Sequence, residues 1–192
     1  LYTCNGNIPV LEGPRLRLRR MDTKDVKDIF AIWSDPEVTR YMNISAMSSP
    51  DDVQEMIDLL NALSRTDDAL RWGIELKSSG KIIGSCGLNN WQLDGAFKAE
   101  IGYELSREYW GQRFMTEALE LMYAFAFDKM KINRLEALVD PRNEPSQKLL
   151  ESMGWVREGL LRQLQYTSAG YTDMLIYSLL YEDYTKRKAA AK

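Results

Sequence analysis

The chain predicts an α+β domain built on a mixed, mostly antiparallel sheet flanked by helices. Three observations carry this. Segments with a two-residue apolar period crowd the middle and the end of the chain. Helical segments fall between them without strict strand–helix alternation. Near the centre, a strand at 101–105 runs through a glycine turn into a helix with Met115, Ala118, Leu119, Met122 and Ala126 on one stripe.

Taken in order, residues 1–8 read as a loose lead-in to one domain over residues 9–182. Arg15-Leu16-Arg17-Leu18-Arg19 alternates as a half-buried strand, its arginines forming a solvated face rather than a nucleic-acid patch. Asp22 caps a helix that turns Val26, Ile29, Phe30 and Trp33 inward and stops at Asp35-Pro36. Ser49-Pro50-Asp51-Asp52 opens the next, with a capping serine, proline at the first position and acids in the first turn. Val53, Met56, Ile57, Leu60 and Leu63 form its buried stripe. Strands at 71–76 and 81–88 meet at the hairpin signal Ser78-Ser79-Gly80. After the central strand and helix, a strand at 133–139 ends at Asp140-Pro141-Arg142. Asn143-Glu144-Pro145-Ser146 then opens a short helix that Gly154 closes. The last strands, 154–163 and 171–179, are joined through Thr167-Ser168-Ala169-Gly170. Residues 183–192 read as a C-terminal tail, frayed from Lys186 onward.

Composition narrows the chemistry. The 192 residues are 45% hydrophobic and 28% charged, with a net charge of −3, which favours basic partners over nucleic acid. No apolar run reaches membrane-spanning length, so no membrane partner is expected. Two cysteines without a pairing framework suit the reducing cytoplasm. The chain has no histidine, which removes Ser-His-Asp and Cys-His nucleophiles, histidine bases and histidine metal sites together. No metal site is expected. Carboxylates, hydroxyls and backbone groups must carry any reaction.

The stretch 99–118 is the strongest candidate site. A strand entering a helix through a tight turn aims unpaired N–H groups at one point, on the positive end of the helix dipole. Here Ile101-Gly102-Tyr103 followed by Trp110-Gly111-Gln112-Arg113-Phe114-Met115-Thr116-Glu117-Ala118 resembles the acetyl-CoA pyrophosphate loop of GNAT N-acetyltransferases, best in the RimJ/RimL-like branch. The resemblance continues through Asp35-Pro36-Glu37, Asn143-Glu144-Pro145-Ser146, Met153-Gly154-Trp155 with Glu158-Gly159, and Tyr171-Thr172-Asp173 before Tyr177. Five motifs in the right order imply the GNAT fold. Arg113 departs from the usual second glycine. Its side chain either crowds the pyrophosphate or turns its guanidinium toward it, and the intact loop around it favours the second.

The resemblance implies an acetyl-CoA-dependent enzyme that moves an acetyl group directly to a primary amine. It implies that 101–105 splays from 133–139 and that backbone groups around Tyr103, Glu104 and Leu105 hold the pantetheine arm as a pseudo-strand. It places Trp110, Gly111, Gln112, Arg113, Phe114, Met115 and Thr116 at the pyrophosphate, and Asn143 and Ser146 near the sulfur. Trp33, Tyr41 and Met42 become candidate linings of the acceptor groove, Trp33 being equally a core residue. Leu150 stands where many relatives have a tyrosine acid. Ser146 is therefore the candidate donor to the departing thiolate, or else only a helix cap. Gln165 stands where a glutamate base is common, which leaves Glu104, Asp173 and Glu100 as candidate bases. Glu158 reads as an ion-pair partner of Arg162 or Arg157. A homodimer is implied by resemblance alone.

A weak base narrows the acceptor. An α-amine with pKa near ~8 is about 10% neutral at pH 7, a cost of about 1.4 kcal/mol, whereas a lysine near ~10.4 costs about 4.6 kcal/mol. A protein N-terminal α-amine is thus the leading acceptor. A small amine such as a polyamine, amino acid or antibiotic is the alternative, as is an acyl-CoA-binding module that has lost catalysis.

Overall fold

A computed structural model describes residues 1–167 and 170–190. Eight strands form one sheet: β1 (Leu11–Glu12), β2 (Leu16–Arg19), β3 (Ala69–Leu76), β4 (Lys81–Gln92), β5 (Lys98–Leu105), β6 (Arg134–Val139), β7 (Val156–Thr167) and β8 (Gly170–Leu180). Their spatial order is β1-β2-β3-β4-β5-β6-β8-β7. Among the described residues, only β5 and β6 run parallel. The helices are α1 (Val26–Trp33), α2 (Pro36–Thr39), α3 (Pro50–Leu63), α4 (Phe114–Ala124), α5 (Glu144–Ser152) and α6 (Tyr181–Ala190). The tip expected at Ser168-Ala169 lies outside the described residues.

Two apolar clusters cover the two faces of the sheet. The larger packs α4 residues Met115, Ala118, Leu119 and Met122 against Leu16, Leu18, Trp72, Cys86, Leu88 and Ile101. The smaller sets Ile29, Ile32 and Trp33 of α1 and Val53 and Ile57 of α3 around Met21 and Ile82. Ile82 and its neighbour Ile83 sit in different clusters, as the pleat requires of consecutive strand residues.

The helix starts are made as the sequence indicates. Asp22 and Asp25 form a capping box on the 3₁₀ turn Thr23–Asp25 that leads into α1. Ser49 and Asp52 form another at α3, with Pro50 in its first turn. Gly154 ends α5 with φ +84°, a conformation that glycine adopts without strain.

Three expectations are corrected, and the stop of α1 before Asp35-Pro36 holds with an added role. The loose lead-in is packed instead. Cys4 and Ile8 are buried, the Cys4 N–H donates to Asp67 Oδ1 at 2.7 Å, and Gly6 N–H donates to Ser64 O at 2.9 Å. These partners lie some sixty residues away, beyond the reach of local pattern. At the other end, the described part of the tail, from Lys186 to Ala190, is not frayed. It continues α6, anchored by buried Tyr184 stacked 4.9 Å from Phe127 and by Arg187 on Glu120 at 2.7 Å. Asp35 does more than end α1, since its side chain accepts from Glu37 N and starts the short α2. Glu158 pairs with neither Arg157 nor Arg162 but with Arg134, at 2.9 and 2.5 Å, and accepts from Ser178 Oγ at 2.7 Å.

Candidate active site

The parallel pair at the sheet centre opens like a fork. β5 and β6 are in register only at Lys98–Arg134, Ala99–Leu135 and Glu100–Glu136. Beyond these, β5 stays paired with β4 as far as Leu105, and β6 stays with β8 as far as Val139. Each strand follows its outer neighbour. Among the described residues, no strand pairs with the β6-facing edge of 101–105, so backbone donors and acceptors line the gap.

The turn beyond β5 completes one end of the gap. A 3₁₀ turn, Arg107–Tyr109, leads through Gly111 at φ +73° into α4. No side chain caps that helix, which leaves the first-turn N–H groups directed outward on the positive end of its dipole. Arg113 is the N-cap and takes the left-handed conformation, φ +63° and ψ +17°, that glycine would adopt without strain. A side chain costs about 1–2 kcal/mol there. The backbone path of the loop is therefore kept despite the missing glycine. Phe114 and Met115 are buried, so at this turn they offer only backbone N–H groups. Trp110 is half-exposed and its indole donates to Leu105 O at 2.8 Å, tying the turn to the strand end. Gln112 Nε2 closes the turn on Glu108 O at 2.9 Å.

Arg15, read from sequence as part of a solvated face, is a brace for this turn. Its guanidinium reaches Glu117 at 2.8 Å and Gln112 O at 3.1 Å, and lies 4.2 Å from the Phe114 ring centre. Glu117 also accepts from the N–H groups of Arg15 and Leu16, at 2.8 and 3.1 Å. Burial opposes ionisation of Glu117, but Arg15 and these backbone donors outweigh it and hold the carboxyl below its ordinary range. No local pattern links residues a hundred positions apart.

On the far side of the gap, Asn143 caps α5 by accepting from Ser146 N at 3.2 Å. That leaves the Ser146 hydroxyl free of capping duty. It lies 2.6 Å from the phenol oxygen of Tyr103 on β5, bridging the two sides of the opening. Burial pushes the Tyr103 phenol up to about 12. The capping alternative for Ser146 is thus corrected: the cap is Asn143. Leu150 is fully buried and brings no polar group to the gap.

Two predicted bases are otherwise engaged. Glu104 is buried against Arg71, accepts from Ser85 Oγ, and accepts from Trp33 Nε1 at 2.9 Å. Gly87 and Gly102 make this pair possible: a Cβ on either would lie 2.7 Å from Arg71 Cδ or 3.0 Å from its Nη1. Trp33 is itself buried, so it belongs to the core rather than to a groove wall. Asp173 accepts from Gln163 N at 2.7 Å and fixes the bulge where Gln163 takes φ +51°. Tyr41 and Met42 are half-buried. Tyr41 has Arg40 and Arg142 at 5.3 and 5.9 Å from its ring centre, which sets its loop beside the turn after β6. Arg107 holds Asp35 at 3.0 Å and ties the same region to the turn after β5.

Glu100 is different. It lies half-buried at the crotch of the fork, directly beside Glu136 in register. Glu136 has Lys98 and Arg134 as partners, at 3.2 and 2.7 Å. Burial, followed by the Glu136 charge, raises the Glu100 carboxyl above its ordinary range, with Lys98 opposing. In the sequence, Lys98, Glu100, Arg134 and Glu136 alternate with apolar residues, but the strand pairing that sets two carboxylates side by side is not local.

The molecule therefore offers a split strand pair, a row of unsatisfied helix N–H groups at one end and a hydroxyl pair across the middle. Its architecture matches that of Mycobacterium smegmatis RimJ in complex with CoA-disulfide, with a TM-score of 0.84, 22% identity, and coverage of 97% of this chain and 96% of that one. In sequence it is similar to an uncharacterised N-acetyltransferase of Bacillus licheniformis, 39% identical over 88% of this chain and 95% of that protein. It is also similar to the [ribosomal protein uS5]-alanine N-acetyltransferase of Escherichia coli K12, 25% identical over 71% and 70% of the two chains. The family model described as "Acetyltransferase (GNAT) domain" matches residues 15–156, the span that holds the fork, the turn and Ser146, and the chain accordingly belongs to the GNAT acetyltransferases.

Proposed function

We propose that this acetyltransferase uses acetyl-CoA in the cytoplasm and delivers the acetyl group directly to the α-amine of a protein N-terminus. The observation that carries the reading is the alignment of the unpaired β5 edge with the uncapped start of α4. An extended thiol arm ending in a diphosphate matches that pattern of donors.

Bound acetyl-CoA would supply the acetyl group as an activated thioester. Backbone groups of Tyr103, Glu104 and Leu105 would orient its arm. The N–H groups of Gln112, Arg113, Phe114, Met115 and Thr116 would take the diphosphate, flanked by Trp110 and Gly111, with the Arg113 guanidinium adding charge. Asn143 sets the start of α5, and Ser146 faces the reacting centre. Tyr41 and Met42 would wall the acceptor side. Glu100 would receive the proton of the incoming amine, because it stands at the fork with its carboxyl raised toward a base near neutral pH, whereas Glu104 and Asp173 are engaged by Arg71 and by Gln163 N. A carboxylate remains a mild base, which favours an α-amine over a lysine. The uS5-alanine acetyltransferase relative supports the same acceptor class.

The test is release of coenzyme thiol from acetyl-CoA with peptides bearing free α-amines, peptides with only lysine amines, spermidine and an aminoglycoside. Turnover should be highest with the α-amines. Preference for spermidine or the aminoglycoside would refute the acceptor assignment. Absence of thiol release with every amine would refute the reading as a whole.

A further inference from the structure

We propose that Tyr103 is a positioning residue for the reaction, aiming the Ser146 hydroxyl at the departing sulfur across the gap between β5 and α5. The inference rests on the acetyl-CoA reading above.

The geometry leaves Ser146 one strong side-chain partner. Its backbone N–H is taken by Asn143 Oδ1, and its hydroxyl lies 2.6 Å from the Tyr103 phenol. A serine in a first helical turn would otherwise turn its O–H back toward a backbone carbonyl. When the phenol donates to Ser146 Oγ, the serine proton is the one left to point into the opening. A hydroxyl that already accepts a hydrogen bond is also a better donor, because chains of hydrogen bonds polarise one another.

Tyr103 acts by donation and not by ionisation. Burial keeps its phenol protonated up to about pH 12, whereas an ordinary thiol ionises near ~8.5, so outright transfer to a thiolate is strongly uphill. In the step itself, the C–N bond forms as the C–S bond breaks, and the C–S electron pair stays on sulfur. Ser146 O–H meets that charge with a hydrogen bond. The proton lost by nitrogen goes to Glu100, and solvent returns one to the sulfur after release. The phenol brought by β5 thereby takes up work for which position 150, a leucine, has no polar group.

The experiment compares wild type, Tyr103→Phe, Ser146→Ala and the double variant, with acetyl-CoA and a peptide bearing a free N-terminal alanine. Circular dichroism melts establish folding, and Ser146→Ala perturbs the pair from the other element if Tyr103→Phe folds poorly. Each single variant should lower kcat about tenfold or more, by loss of charge stabilisation. KM for acetyl-CoA should stay within a small factor. The double variant should be no slower than Ser146→Ala alone. Unchanged kcat in Tyr103→Phe, or losses that multiply in the double variant, would overturn the inference while leaving the acetyl-CoA reading standing. No thiol release from the wild type with any amine would remove both.

Discussion

Replacing Glu104 with glutamine separates a structural carboxylate from a catalytic one. The substitution keeps the side-chain shape and removes the charge. Arg71 and Glu104 are 11% and 4% exposed, so the pair is shielded from water. In the variant, Arg71 keeps Ser85 Oγ at 2.9 Å, but its charge stands uncompensated. Stripping one partner from a buried ion pair costs about 3–5 kcal/mol. In a domain of this length each kcal/mol moves the melting midpoint by about 2–4 °C, so a fall of about 6–20 °C is expected. Turnover well below the midpoint should stay close to that of the wild type. Adding Arg71→Met removes the stranded charge, and most of the lost stability should return. Melting curves and kcat measured on the same preparations decide the matter. A Glu104→Gln protein that melts with the wild type but turns over about a hundredfold more slowly would make Glu104 the general base and refute the structural assignment.

Glu100→Gln should lower kcat/KM by about a hundredfold and remove the enzyme's own step from the acid side of the pH profile, which in the wild type should lie above the ordinary carboxylate range, leaving only the step set by the substrate amine. Arg113→Gly should leave thermal stability nearly unchanged, since relief of about 1 kcal/mol of left-handed strain is offset by the greater freedom of glycine in the unfolded chain. It should weaken acetyl-CoA binding about fivefold in calorimetry, and tighter binding would show that the side chain crowds the phosphates. The Arg134 guanidinium, and then Ser178, lower the Glu158 carboxyl to about 2. Its stabilisation is therefore present above the unfolded carboxylate pKa and lost as pH falls toward 2. Glu158→Gln should flatten that part of the wild type's acid-denaturation curve, and an unchanged curve would show that the pair contributes nothing.

Much of the fold was readable because its signals are local. Ser49-Pro50 and Asp22 announce helix starts through their own short-range hydrogen bonds, and the structure has both. Gly111 announces the turn because its positive φ is a property of one residue. What could not be read depends on distant partners. Glu104 looks like any carboxylate on a central strand until Arg71 crosses two glycines to meet it. Arg15 looks solvated until the fold brings Glu117 beneath it.

Ser146 marks the boundary between the two kinds of signal. Its place after Asn143 and Pro145 fixes it in a first helical turn, and from that alone a cap and a catalytic donor cannot be told apart. Asn143 decides the capping question at 3.2 Å, and Tyr103 meets the freed hydroxyl at 2.6 Å, the contact on which the proposed donor role rests. β5 and β6 part after Glu100, and beyond that point the Tyr103 phenol of β5 lies against the Ser146 hydroxyl of α5. The hydroxyl pair and the gap thus lie at one place in the fold, and the kinetics of Tyr103→Phe and Ser146→Ala decide whether the pair acts on what the gap holds.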